Sequence, residues 1–466
     1  MKTFTAADHR SSLLVATLSS AFGVVLLLVT ACIDAIIRHD DVTGSSGTVS
    51  VMLMLAAGIF VSIAVYVSAI VTANTFATIV AGRTRTIALL RLIGSSARAQ
   101  RRAFASEGLA VGLIGGVAGL AVGVLLAFGF VRVGIAIGTL PAIEYPVITP
   151  SVALPVIAVV LTTWLASWIG ARRVLTVSPM QAISGAQELS SEESSARPGR
   201  NATAITLFAV GILLLMAGVG VGLVSLLGVL IGIVGGIVSF SGLILGAHLV
   251  MPPALRLVGR LFGSSAPARL AAENAVRYPE RSSRTTIGLV IGITLITMFA
   301  VAAASFQQFM AEAQAAQPEV YEGTETVVNV TVGVFSALIG LSALIAAVGM
   351  VNNLSLSVLQ RTRELGLLRA LGFSAAQIRR MILVESAQLT TASVLVGLVL
   401  GACYGWAGAQ SMFGSVTGHP GLIVPAVPWV VVGVIVVLAA VLTAAAAVAP
   451  SRRATRIAPV AALAVD

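Results

Sequence analysis

The chain has 466 residues, 58% of them hydrophobic and only 10% charged, with a formal net charge of +10. A soluble globular protein carries about 25% charged residues, so this composition excludes an ordinary soluble domain and points to an all-α polytopic membrane protein. The positive balance reads as arginine-rich cytoplasmic loops beside anionic membrane lipid, with no nucleic acid as partner.

Ten apolar segments follow in chain order, at roughly 12–37, 51–80, 104–137, 151–170, 203–219, 222–251, 286–309, 329–358, 382–411 and 427–449. Lys2 and Arg10 precede the first, which could be taken for a signal peptide. Its length and its place in the repeat described below predict a retained span. Between the fifth and sixth segments only glycines near 219–224 offer a turn, so a hairpin and a single re-entrant element both fit.

Arginine bias sets the expected orientation. Gly82 to Arg102 carries six Arg and no acid, and Gln360 to Arg380 carries five Arg and one Glu. Glu312 to Glu325 on the opposite side holds four Glu and no base. An even number of spans with both termini in the cytoplasm satisfies this pattern. It puts Trp406 and Trp429 at the outer interface and Trp164 and Trp168 at the inner one.

Chemistry-bearing residues are sparse. Cys32 and Cys403 each lie inside an apolar run, and His9, His39, His248 and His419 are scattered without metal-ligand spacing. His248 reads as interfacial and Asp34 as a snorkelling carboxylate. Lys2 is the only lysine. A P-loop needs Gly-Lys-Ser/Thr, so the chain contains none, and any ATP that drives it is bound elsewhere. No catalytic, cofactor or metal site is expected, and the chain reads as a non-enzyme.

An internal repeat organises the sequence. RTRTIALLRLIGSSARAQRRAFASE at 83–107 and RTRELGLLRALGFSAAQIRRMILVE at 361–385 match at twelve of twenty-five positions, without a gap, at an offset of 278. Arg172-Arg173 and Pro179 match Arg452-Arg453 and Pro459 at offset 280, and Arg10-Ser11-Ser12 resembles Arg281-Ser282-Ser283. The predicted organisation is 4+2+4: a first four-span unit at 1–187, an insert at 188–265 with a polar linker and a two-span hairpin, and a second unit at 266–466. Glycine runs such as Gly108–Gly112 and Gly115–Gly119 fit close helix packing, as static seams or as sliding surfaces.

Each basic stretch has its own local grammar. Leu365, Leu368 and Leu371 recur at helical spacing, and Gly372 suits a helix C-cap. Ser374 with Gln377 forms a capping box for a second helix that runs into the membrane near Met381. Gly94 and Ser96 repeat the glycine and the serine. Topogenic charge alone explains the arginines but neither the caps nor the matched spacing, which favours a docking element at the inner interface.

Arg361-x-Arg363-Glu364-Leu365-Gly366-Leu367-Leu368-Arg369-Ala370-Leu371-Gly372, followed by Glu385, resembles the FtsX-like or MacB-like ABC transporter permeases. Residues 270–292 resemble that family's lead-in to a first span, and Pro459–Leu463 its C-terminal tail, echoed by Pro179–Ile183. The resemblance implies that 83–94 and 361–372 are coupling elements, with Arg83, Arg85, Arg91, Gly94, Arg361, Arg363, Glu364, Gly366, Arg369 and Gly372 contacting an ATPase. It implies two copies of a separate ATP-binding subunit holding ATP and magnesium, and a location in the bacterial plasma membrane. The implied function is export or extraction of a hydrophobic or amphipathic cargo, with non-transporting signal relay as the alternative. A secondary transporter would normally carry intramembrane carboxylates, which these spans nearly lack. Two departures stand out. The gaps at 38–50 and 310–328 are too short for a large extracytoplasmic domain, and Thr86 and Ala88 stand where the second copy has Glu364 and Gly366.

Overall fold

The computed structural model describes residues 10–39, 96–138, 140–146, 150–170, 198–262, 279–316, 367–415 and 421–456, with individual residues between 51 and 74, between 272 and 277 and between 318 and 347. Among the described residues there is no strand. The helices are α1 (Arg10–His39), α2 (Ala97–Ala136), α3 (Ala153–Gly170), α4 (Pro198–Gly222), α5 (Gly228–Leu245), α6 (Ala247–Gly259), α7 (Pro279–Ala316), α8 (Ala375–Phe413) and α9 (Trp429–Arg456).

Seven of these nine are long and apolar enough to cross a membrane: α1 to α5, α7 and α8. The apolar part of α9, Trp429–Ala444, is shorter. Most of the predicted segments at 51–80 and 329–358 lies outside the described residues. At about 1.5 Å per residue, the 40-residue α2 and the 39-residue α8 are each roughly 60 Å long, about twice the hydrocarbon thickness of a bilayer. Both therefore project well beyond it, carrying Arg101-Arg102 and Arg379-Arg380 near their N-terminal ends.

The region predicted as one segment at 222–251 is broken. The chain turns at Leu223–Leu227, α5 ends at Leu245, and a new helix begins past Gly246, with Pro252 and Pro253 inside it. α4 and α5 form an antiparallel hairpin in which glycines let the backbones meet, with Gly211 against Ser239, Gly218 against Gly232 and Gly242 against Phe208. The hairpin lies on α8, where Leu215 and Val219 enclose Ala407 and Gly222 meets Ser411.

The repeat is visible in packing as well as in sequence. On α2, a Cβ at Gly123 would sit 2.8 Å from Val24 Cβ and 3.1 Å from the Ala21 carbonyl oxygen. On α8, Gly401 meets Thr297 Cβ, and its Cβ would sit 2.7 Å from the Thr294 carbonyl oxygen. Gly119 against Ser20 likewise matches Gly397 against Ile293. Glycines 278 apart thus meet partners 273 apart. The Arg-Ser-Ser tripeptides at 10–12 and 281–283 are 271 apart, so they are two residues out of step with the packed register. The α2–α3 contact of Gly112 with Thr163 reappears as Thr390 with Thr443, whose hydroxyls lie 2.8 Å apart. Ser20 Oγ donates to the Gly116 carbonyl at 2.9 Å, fastening α1 to α2.

The two first spans share one core. Phe22, Leu26 and Val29 of α1 pack with Ile291, Leu295 and Phe299 of α7, and the Phe22 and Phe299 rings are 6.3 Å apart. In the 273-residue register Phe22 corresponds to Leu295 and Phe299 to Leu26, so the same pair of positions faces itself across an approximate twofold axis.

Candidate functional site: the capped basic corner

At the N-terminal end of α8 the chain makes a corner. Residues 367–370 are helical, and Gly372 has φ +98, a left-handed conformation that costs glycine little. The Gly372 amide donates to the Arg369 carbonyl at 3.1 Å and the Phe373 amide to the Leu368 carbonyl at 3.0 Å. This pair of bonds is the Schellman pattern. Two residues later Ser374 Oγ accepts from the Gln377 amide at 3.2 Å, while Gln377 Oε1 accepts from the Ser374 amide at 2.8 Å. The reciprocal pair satisfies two otherwise orphaned backbone donors. Leu368 and Phe373 close the corner from inside by packing on Ile378, Met381 and Ile382.

The leucine stripe divides at the turn. Leu368 faces the cluster, whereas Leu371 is 71% exposed because the left-handed Gly372 swings the chain away before another helical turn can form. Leu367 is also exposed, as are Arg379 and Arg380, and Arg369 is half-buried. The corner therefore offers two exposed leucines beside exposed guanidinium groups, fixed to a helix long enough to cross the membrane.

In the first copy Ser96 has the same extended conformation as Ser374, and its Oγ accepts from the Ala99 amide at 3.2 Å. Ala99 stands where the second copy has Gln377, so the reciprocal bond is lost. Arg101, equivalent to the exposed Arg379, lies 3.7 Å over the Trp168 ring of α3. Of the site residues expected from sequence, Arg369 and Gly372 are described at the corner. Arg361, Arg363, Glu364, Gly366, Arg83, Arg85, Arg91 and Gly94 lie outside the described residues.

Two polar clusters were not expected from sequence. His248 is buried; its Nδ1 lies 3.1 Å from Arg200 Nη2 and its Nε2 lies 2.8 Å from Asn201 Oδ1. A guanidinium only donates, so Nδ1 accepts and Nε2 carries the proton given to Asn201. His248 is thus a buried tie between the N-terminal ends of α4 and α6. At the other end of α8, Gln410 Nε2 donates to the Gly421 carbonyl and its Oε1 accepts from the Ile423 amide, while Trp406 Nε1 donates to the Ile423 carbonyl. Long-range ties of this kind leave no periodic trace in sequence.

The FtsX-like permease C-terminal family matches this chain twice, at residues 58–179 and at 336–459, together more than half of its length. The two matches start 278 residues apart and end 280 apart, the offsets of the internal repeat. The chain is 31% identical over 105 residues to YknZ of Bacillus subtilis, described as an uncharacterized ABC transporter permease, covering 22% of this chain and 25% of that one. It is 35% identical over 60 residues to the ABC transporter permease YtrF of Bacillus subtilis, covering 13% and 14%. It is 38% identical over 79 residues to the macrolide export ATP-binding/permease protein MacB of Nitrobacter winogradskyi, covering 17% and 12%. The matched stretches span a quarter or less of these relatives' lengths.

Proposed function

The chain belongs to the FtsX-like permease family, and we propose that it is the membrane subunit of an ABC transporter whose ATP is hydrolysed by a separate subunit. The observation that carries this reading is the double family match, which gives one chain two copies of the FtsX-like permease C-terminal region. Two four-span units, 1–187 and 266–466, flank the inserted hairpin, and both basic segments face the cytoplasm. The 361–372 and 83–94 segments each receive one copy of a P-loop ATPase. ATP-driven approach of the two ATPases moves these segments, and the capped corner passes that movement to α8 because its hydrogen bonds and its Leu368–Phe373 packing resist bending. The membrane is the bacterial plasma membrane, and the cargo is hydrophobic or amphipathic, reaching the spans from within the bilayer.

The test is co-purification with a candidate P-loop ATPase subunit from the same genome, followed by ATPase measurements in lipid nanodiscs. Binding that weakens on Arg363→Glu or Arg369→Glu, with ATP turnover altered by the permease, supports the reading. Unchanged ATPase binding in both variants sinks the docking assignment. ATP turnover that responds to the permease while no lipid or peptide cargo moves favours signal relay over transport.

A further inference from the structure

The inserted hairpin breaks the approximate twofold symmetry at one place. Phe240 of α5 stands between two tyrosines, Tyr66 of the second apolar segment and Tyr404 of α8, at ring distances of 6.4 and 6.0 Å, both edge-on. Tyr66 Oη donates to the Ile237 carbonyl at 3.0 Å and lies 2.8 Å from Ser241 Oγ. Tyr404 Oη lies 2.9 Å from Ser239 Oγ. Three consecutive residues, Ser239, Phe240 and Ser241, are therefore gripped from the first copy on one side and from the second copy on the other.

At the repeat offset of 278, Tyr66 corresponds to Leu344 and Tyr404 to Leu126. Neither leucine can donate or accept a hydrogen bond, and they are 48% and 51% exposed. Gly129, equivalent to the enclosed Ala407, has open space around it. Among the described residues the opposite seam brings Gly333 against the Phe130 ring. Lipid tails are as apolar as leucine, so such a seam can part into the bilayer at little cost, whereas parting the tyrosine seam strands hydroxyls in hydrocarbon.

We propose that α5 is a fixed strut that ties the second span of the first copy to α8 of the second copy, so that the two copies separate only along the opposite seam, past Leu126 and Leu344. The strut is a property of this chain alone, independent of whether an ATPase drives it.

Electron spin resonance distances in lipid nanodiscs test the strut. Spin labels go on two pseudo-equivalent pairs, Ser62 with Val399 across the hairpin side and Gly340 with Ala121 across the opposite side, in full-length protein carrying Cys32→Ser and Cys403→Ser. The expected result is one narrow distance on the hairpin side and a broader or two-peaked distribution on the other. Tyr66→Phe with Tyr404→Phe keeps both rings, removes both hydroxyls, and broadens only the hairpin side. Y404F alone, which loses only the Ser239 contact, serves if the double variant does not purify. Equal spreads on both sides, a broader hairpin side, or no response to loss of the hydroxyls overturns the proposal.

Discussion

Phe373 donates its amide to the Leu368 carbonyl at 3.0 Å, and both side chains pack on the same Ile378–Met381–Ile382 cluster. Backbone and side chains close the corner together, and Gly372 is the residue that lets them. A Cβ at Gly372 would touch nothing within 4 Å, so the cost of substitution is conformational, not steric. Gly372→Ala should therefore destabilise the corner by about 1–2 kcal/mol, and Gly372→Asn by less, since asparagine visits the left-handed region more readily. A thermal shift of the detergent-solubilised protein that ranks glycine above asparagine above alanine checks this. Asparagine and alanine behaving alike would count against a left-handed cap.

The capping box yields a second prediction with an internal control. Ser374→Ala should cost about 1 kcal/mol, and Ser96→Ala a similar amount, because each removes a side-chain acceptor from an N-terminal amide. Gln377→Ala should lower stability at the second copy only, since Ala99 already occupies that place in the first. A double-mutant cycle should show coupling between Ser374 and Gln377. Simple additivity of the two substitutions would mean the reciprocal bonds do not act as a unit.

These caps were legible in sequence because they are local: a glycine, a serine and a glutamine at fixed spacing state their own geometry. The seven described helices long and apolar enough to cross a membrane were legible for the same reason, since hydrocarbon thickness imposes a length. The hairpin boundary was less so. The flexible residues of Val219–Val224 are Gly220 and Gly222, yet the turn forms later, at Leu223–Leu227, where Ser225 Oγ accepts from the Leu227 amide at 3.3 Å. The register of the first spans, the burial of His248 and the Tyr66–Phe240–Tyr404 sandwich depend on hydrogen-bonded residues 47 to 175 positions apart. No periodicity records such pairings.

The glycine seams lead to a third prediction. Gly123→Ala and Gly401→Ala should both destabilise, by about 1–3 kcal/mol each, because the added carbon meets Val24 and Ala21 in one copy and Thr297 and Thr294 in the other. Gly129→Ala and Gly408→Ala have open space and should be silent. Detergent-resistance assays across the four variants read the contrast. Equal tolerance at all four positions would show that the α1–α2 and α7–α8 seams are looser than these distances.

Arg101 and Trp168 carry the last prediction. The guanidinium lies over the indole and its Nε donates to the Trp168 carbonyl at 3.4 Å, so α2 and α3 are pinned beside the first basic segment. The equivalent Arg379 is exposed and Val448 stands at the position matching Trp168, 280 residues on. The ring contact depends on a planar cation, so Arg101→Lys should lose much of it, and Trp168→Leu should lose it entirely, at about 0.5–2 kcal/mol. Arg379→Lys should leave stability unchanged. If the pin also stiffens the first basic segment, Trp168→Leu should raise protease cleavage between 83 and 94 while leaving 361–372 as before. Equal cleavage at both segments in the variant would show that the pin acts on helix packing alone.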